Sequence, residues 1–144
     1  MRVETEQRHL EQLALSPGTR EFVVQHKDAF AHLITQQSVG TSVAPKSGEV
    51  LGVVGIVEVA PRVGEVFLLR PDGALCHVAE LVKDVCSTLA YVQARFDRIQ
   101  AAGDDTPLLH RWLSWCGFEC EGPDNRAGFE GKLMWRLKAP KGVN

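Results

Sequence analysis

Residues 106–122, TPLLHRWLSWCGFECEG, constrain the fold of this chain more than any other stretch. Leu108, Leu109, Trp112, Leu113 and Trp115 or Cys116 recur near helical spacing, and Gly117 stands where a left-handed residue closes a helix. The pattern predicts a short amphipathic helix that stops at Gly117 and turns straight into a strand beginning at Phe118. That junction argues for a fold rather than for a chemistry.

The rest of the chain supplies partners for it. Arg2 to Glu4 reads as a short first strand, and a helix from Thr5 through HLEQLAL is broken by Ser16-Pro17-Gly18. Thr19 caps a second helix, with Phe22, Val23, His26, Phe30, Leu33 and Ile34 on one broad face. Val39 to Val43, the turn Pro45-Lys46-Ser47-Gly48 and the β-branched run Val50 to Val59 form a hairpin. Pro61 to Gly64 turns into a third strand, Glu65 to Leu69, so three strands meander antiparallel, and Val53 to Val57 suits a strand covered on both faces. A third helix runs from about Ala74 to Arg95, with Leu75, Val78, Leu81, Val82, Val85, Leu89 and Val92 as its buried stripe. Phe96 to Ala101 is a further strand, Gly103-Asp104-Asp105 a loop, and Lys132 to Lys138 the final strand. A polar, Gly-rich hairpin loop over 122–131 precedes that last strand.

At 144 residues the chain is of single-domain size, and one domain over 1–144 is expected. A net charge of -2 excludes an electrostatic case for nucleic acid. No apolar run approaches the roughly 20 residues of a membrane span, and charge rather than a signal core follows Met1, so a cytoplasmic location is expected. Nine residues separate Cys76 from Cys86 and three separate Cys116 from Cys120, spacings unlike closely paired zinc ligands. They read as reduced thiols, Cys76 and Cys86 at buried helix positions, and no metal is expected.

The order strand, two helices, three antiparallel strands, long helix, strand, helix and hairpin resembles the GNAT acyltransferase fold over essentially the whole chain. Its sharpest local support is Arg111-Trp112-Leu113-Ser114-Trp115-Cys116-Gly117-Phe118 with the strand Phe118-Glu119-Cys120-Glu121-Gly122. The resemblance implies an α+β fold: a mostly antiparallel sheet of about six to seven strands flanked by about four helices. Compact size, two N-terminal helices and the wording HRWLSWCGFECEG are most similar to small GNAT-fold proteins of tailed bacteriophages, including internal-virion and virion-assembly proteins.

For a GNAT enzyme the implied cofactor is acetyl-CoA, its pyrophosphate held where the fourth strand meets the long helix. The physical need there is a helix N-terminus with little side-chain bulk. Arg70-Pro71-Asp72-Gly73-Ala74-Leu75 falls at that junction, and Arg70, Gly73 and Ala74 are the implied cofactor residues. Leu75 replaces a small residue, Pro71 removes a donor and Asp72 adds negative charge. A plain Pro-Asp-Gly turn capped by Asp72 accounts for the same residues.

Amine acetylation needs a base for the attacking ammonium and an acid for the departing thiolate. The family's tyrosine four residues before the helix-ending glycine is here Leu113, and the single tyrosine, Tyr91, falls in the third helix. Glu65 and Glu58 are the catalytic candidates, either as bases acting through water or as solvated strand residues. His110 near Asp104 and Asp105 has the composition of a relay or of an ordinary surface histidine, and no Ser or Cys nucleophile is placed beside it. His77 suits proximity to a pyrophosphate or ordinary packing. Trp112, Trp115 and Trp135 read as three core anchors, or as two with one facing outward as a contact surface.

Two functions follow from the resemblance. Loss of the small-residue loop and of the tyrosine together favours a structural or virion-assembly component without acetyl transfer. Its partners would be proteins, among them other phage virion proteins, in the host cytoplasm or the virion. The alternative is an acetyl-CoA-dependent N-acetyltransferase with an atypical phosphate-binding loop, and a CoA-binding regulator is a third option.

Overall fold

A computed structural model describes residues 1–12, 17–36, 39–43, 47, 49–69 and 78–138. Its elements are β1 (Arg2–Glu4), α1 (Gln7–Gln12), α2 (Pro17–Gln25), α3 (Lys27–Thr35), β2 (Val39–Val43), β3 (Val50–Ala60), β4 (Val63–Leu69), α4 (Val78–Val92), β5 (Arg98–Asp104), α5 (Pro107–Trp115), β6 (Phe118–Pro123) and β7 (Lys132–Leu137). The strands form one seven-stranded sheet in the order β1-β2-β3-β4-β5-β7-β6. The β1–β2, β2–β3, β5–β7 and β6–β7 pairs are antiparallel, whereas β4 and β5 run parallel. This is the mixed α+β architecture expected from the order of elements.

The chain divides into two compact units, Met1–Val57 with Phe67–Val92, and Glu58–Val66 with Gln93–Asn144. In the first, Leu10, Val23, Phe30, Val43, Val50, Val53 and Leu69 make a buried cluster, with Phe30 edge-on to Phe67 at 5.6 Å. Burial of such side chains, about 1.5–3 kcal/mol each, is what gathers the short helices α1–α3 onto β2 and β3. β3 is buried from Gly52 to Ile56, as a strand covered on both faces requires, and emerges at Val57. α4 buries Leu81, Val82, Leu89 and Val92 on the expected stripe, and the same helix buries Asp84 and Thr88. Ser42 Oγ donates to Asp84 Oδ2 at 2.6 Å and Thr88 Oγ1 to the Asp84 carbonyl at 3.0 Å, so these polar groups enter the core with partners.

In the second unit, Ile99, Ala101, Phe118 and Trp135 are buried. α5 begins at an extended Thr106 whose Oγ1 accepts from the Leu109 N–H at 3.3 Å, with Pro107 in the first turn. It ends through Gly117 at φ +95°, and β6 starts at Phe118, as the 106–122 pattern predicts.

Three expectations change. The single helix expected from Thr19 is two, α2 and α3, broken at His26 (φ −107°, ψ 24°), so five helices are described rather than about four. The apolar face that runs from Phe22 to Ile34 conceals the break, because this backbone conformation requires neither glycine nor proline. Second, β5 runs through Gly103 and Asp104, which were expected in a loop: they pair with Leu133 and Lys132 of β7, and distant pairing outweighs their poor strand propensity. A Cβ at Gly103 would overlap the end of the Leu109 side chain of α5, so a larger residue there would require that leucine to move. Third, α4 ends at Val92 and tightens into a 3-10 turn over Gln93–Arg95. Residues 74–77, the expected start of that helix, lie outside the described residues. Among the described residues no helix is long and apolar enough to cross a membrane.

Candidate functional site

The parallel register between β4 and β5 is short. It consists of Val63↔Arg98, Gly64↔Ile99 and Glu65↔Gln100, while β4 runs on to Leu69 and β5 to Asp104. Glu65 and Gln100 therefore close the ladder, and directly paired residues project to the same face of a sheet. Gln100 is buried between Ile99 and Ala101, an amide in an apolar strand that must find partners there. Its Nε2 donates to Glu65 Oε1 at 2.9 Å and its Oε1 accepts from Arg98 Nε at 2.8 Å. Arg98 continues the chain of contacts through its terminal nitrogens to the Glu121 carboxylate on β6.

On its other side, Glu65 Oε1 meets Arg126 Nη1 at 2.7 Å. Arg126 belongs to the connection between β6 and β7, and Asp124 fixes it there. Asp124 Oδ1 accepts the Arg126 backbone N–H at 3.1 Å, and the guanidinium spans both carboxylate oxygens, with Nε at 3.0 Å from Oδ1 and Nη2 at 2.8 Å from Oδ2. The Asp124 side chain is only 1% exposed, and the Phe129 ring lies 4.0 Å from Arg126 Cζ. The result is a row running Asp124, Arg126, Glu65, Gln100, Arg98, Glu121, with three carboxylates against two guanidinium groups.

Electrostatics follow from these contacts. The hydrogen bond from Arg126 holds the Asp124 carboxyl below its ordinary range, and Asp124 first, then Glu65, raises the Arg126 guanidinium. Glu121 is lowered by Arg98, which Glu121 raises in turn. Glu65 is the inner carboxylate of the row, its side chain 19% exposed, and both of its contacts fall on Oε1. A half-buried acceptor with a fixed orientation and a second oxygen outside those contacts has the form of a group that takes a proton from a ligand.

The sequence-derived candidates separate clearly against this geometry. Glu65 stands in the row, whereas Glu58 is exposed on β3 and makes no side-chain hydrogen bond or ion pair among the described residues. Arg70, Gly73, Ala74 and His77 lie outside the described residues. His110 Nε2 is 2.6 Å from Asp105 Oδ1, and its ring stands edge-on to Trp135 at 4.9 Å, while Asp104 pairs with Lys132. Asp105 is exposed and His110 half-buried, and no nucleophile joins them among the described residues. Leu113 is half-buried and carries no ionisable group, and Tyr91 is exposed on α4. Trp115 is the tryptophan that faces outward, 62% exposed, and Trp135 is buried. Cys86, expected buried, is half-buried, and Cys120 is exposed; both are free thiols. Among the described residues no cluster suits a metal ion.

Gln100, Arg98, Asp124 and Arg126 are not among the sequence-derived candidates. Gln100 carries one signal, a lone amide inside the apolar run 99–102. Asp124 and Arg126 read as loop polarity, because what distinguishes them is the burial of Asp124 and its ion pair with Arg126.

No protein-family model and no curated protein sequence matches this chain. Solved structures do. A GNAT-family acetyltransferase from Bacillus anthracis superposes with a TM-score of 0.64 over 94% of this chain and 92% of its own, at 13% identity. A Bacillus subtilis acetyltransferase in complex with CoA gives 0.62 over 97% of each chain at 14% identity. The Campylobacter jejuni N-acetyltransferase PseH, in complex with acetyl coenzyme A, gives 0.59 over 95% and 94% at 13% identity. With these the sheet order, the short parallel β4–β5 register and the α5–Gly117–β6 junction find their common explanation: the chain has the GNAT acetyltransferase fold.

Proposed function

We propose that this protein is an acetyl-CoA-dependent N-acetyltransferase in which Glu65 accepts the proton of a cationic amine. The observation that carries the reading is Glu65 itself: half-buried at the last pair of the parallel register and oriented by Gln100 and Arg126. An excess of carboxylate over guanidinium in its row favours an ammonium-bearing acceptor over an anionic one.

The cofactor has a matching feature. The β4–β5 register ends at Glu65 while β4 continues to Leu69, and an extended ligand with amides of its own would pair with the backbone of that continuing strand. Arg70, Gly73 and Ala74 follow directly in sequence, where the resemblance assigns the pyrophosphate. When bound, acetyl-CoA supplies an activated thioester. Glu65 receives the amine proton, and Gln100 and Arg126 hold the carboxylate; with Leu113 at the position where the resemblance implies a tyrosine, water would supply the proton that the CoA sulfur needs.

The test is release of free CoA thiol from acetyl-CoA with a panel of polyamines, aminoglycosides and peptide N-termini. Wild type turns over at least one amine, and Glu65→Gln, nearly isosteric, loses about 10²–10⁴-fold in kcat/KM with unchanged cofactor affinity. Equal rates for the two proteins would remove Glu65 from the chemistry.

A second reading is supported by the outward Trp115 and by Leu113 in place of the tyrosine. In that reading the fold serves as a structural or virion-assembly module of a tailed bacteriophage, its α5 face meeting protein partners in the host cytoplasm or the particle. Mass spectrometry of purified particles distinguishes it: the chain is present in stoichiometric amount, or the virion role fails.

A further inference from the structure

β1 is an edge strand, and beside it lies a cavity of about 430 Å³ within the first compact unit, lined by Arg2, Val3, Glu4, Ile34, Thr35 and Tyr91 among others. That volume is in the range of small-molecule sites. Its single cation is unusually fixed. Arg2 Nε donates to Thr88 Oγ1 at 2.9 Å, Thr88 is fully buried, and the guanidinium lies over the Tyr91 ring, 5.1 Å from the centroid.

Room for this anchor is provided by Gly40, paired with Glu4 on the neighbouring strand. A Cβ at Gly40 would come 2.5 Å from Thr88 Oγ1 and 3.2 Å from Arg2 Nε. Glycine inside a strand weakens it, and here its smallness is what lets the arginine reach its hydroxyl.

With Nε and the ring face occupied, the two terminal nitrogens of Arg2 have no carboxylate partner among the described residues. These are the donors that bind an oxyanion in a fork. Glu4, two residues along the same strand and so on the same face as Arg2, lines the cavity as well and makes no ion pair among the described residues. Two opposite charges thus share one wall without pairing with each other, separated by the roughly 7 Å that two strand residues span. Val3, between them on the strand, projects to the opposite face and packs with Ile34 on the buried cluster of this unit.

We infer that this cavity binds a free α-amino acid through its two charged groups. Its carboxylate lies on the Arg2 fork and its ammonium faces Glu4. The inference does not depend on acyl transfer, because no residue of the Glu65 row takes part.

L-Leucine is the probe, followed by calorimetry and by amide shifts of residues 2–5, 34, 35 and 91 in the full chain. Saturable binding is expected, with isoamylamine, which lacks the carboxylate, and isocaproate, which lacks the ammonium, each weaker by about tenfold or more. Arg2→Lys keeps the charge and removes the fork, and weakens leucine by a similar factor. Glu4→Gln, exposed and therefore safe for folding, erases the preference of leucine over isocaproate. The inference is overturned by absence of saturable binding at about 10 mM leucine, by isocaproate or inorganic phosphate binding as well as leucine, or by an unchanged preference in Glu4→Gln.

Discussion

His9 shows how much one buried side chain controls at the start of the chain. It is 3% exposed, and its Nδ1 accepts the Glu6 N–H at 2.9 Å, a bond that only the imidazole unprotonated at Nδ1 can accept. Burial lowers its pKa below the ordinary histidine value, with Arg8 adding to the effect. The folded form then binds fewer protons than the unfolded chain, so stability is present above the unfolded value of about 6.5 and is lost as pH falls through it toward the lower folded value. Tm should drop between about pH 7.5 and pH 5.5 in wild type and drop less in His9→Asn, whose amide oxygen keeps an acceptor that does not titrate. Asp124 acts in the opposite range. Its lowered pKa stabilises the β6–β7 connection above the usual carboxylate range, and that contribution is lost only in acid. Glu65 was legible in the sequence as a carboxylate on a central strand. Its partners were not, since Gln100 and Arg126 reach it only through strand pairing and a loop that folds back.

At the level of elements, local chemistry predicted ends well and distant pairing poorly. Thr106, Pro107 and Gly117 fix α5 through a side-chain cap, a first-turn proline and a left-handed exit, each readable from the residue type. Thr106→Ala should therefore lower unfolding free energy by about 1 kcal/mol, checked by urea denaturation. An unchanged midpoint would mean that packing of Leu109 and Trp112, rather than the cap, holds the helix start. The hairpin β2–β3 was equally legible, because β-branched runs flank turn residues. The shift of β5 to 98–104 was not, because Gly103 and Asp104 become strand only when β7 lies beside them. The break at His26 was hidden for a different reason: α2 and α3 bury a common apolar side, so the periodicity runs through it.

For the whole molecule, the order of elements along the chain was enough to reach the fold, and the fold was not enough to reach the chemistry. The seven-stranded order β1-β2-β3-β4-β5-β7-β6 places β7 between β5 and β6, so the last strand in sequence completes the pairing on which both neighbours depend. That arrangement puts Glu65 and Gln100 opposite one another and continues the register from Gln100 to Arg136 and from Arg136 to Glu119. Departures at Pro71, Asp72, Leu75 and Leu113 favour a module without catalysis, whereas the supported carboxylate on β4 favours an enzyme. Cofactor binding separates these directly. Thermal unfolding with acetyl-CoA at about 100 times its Kd should show the native state stabilised by about 2.7 kcal/mol, a rise in Tm of roughly 5–10 °C. An unchanged Tm at millimolar acetyl-CoA would contradict the acetyltransferase account.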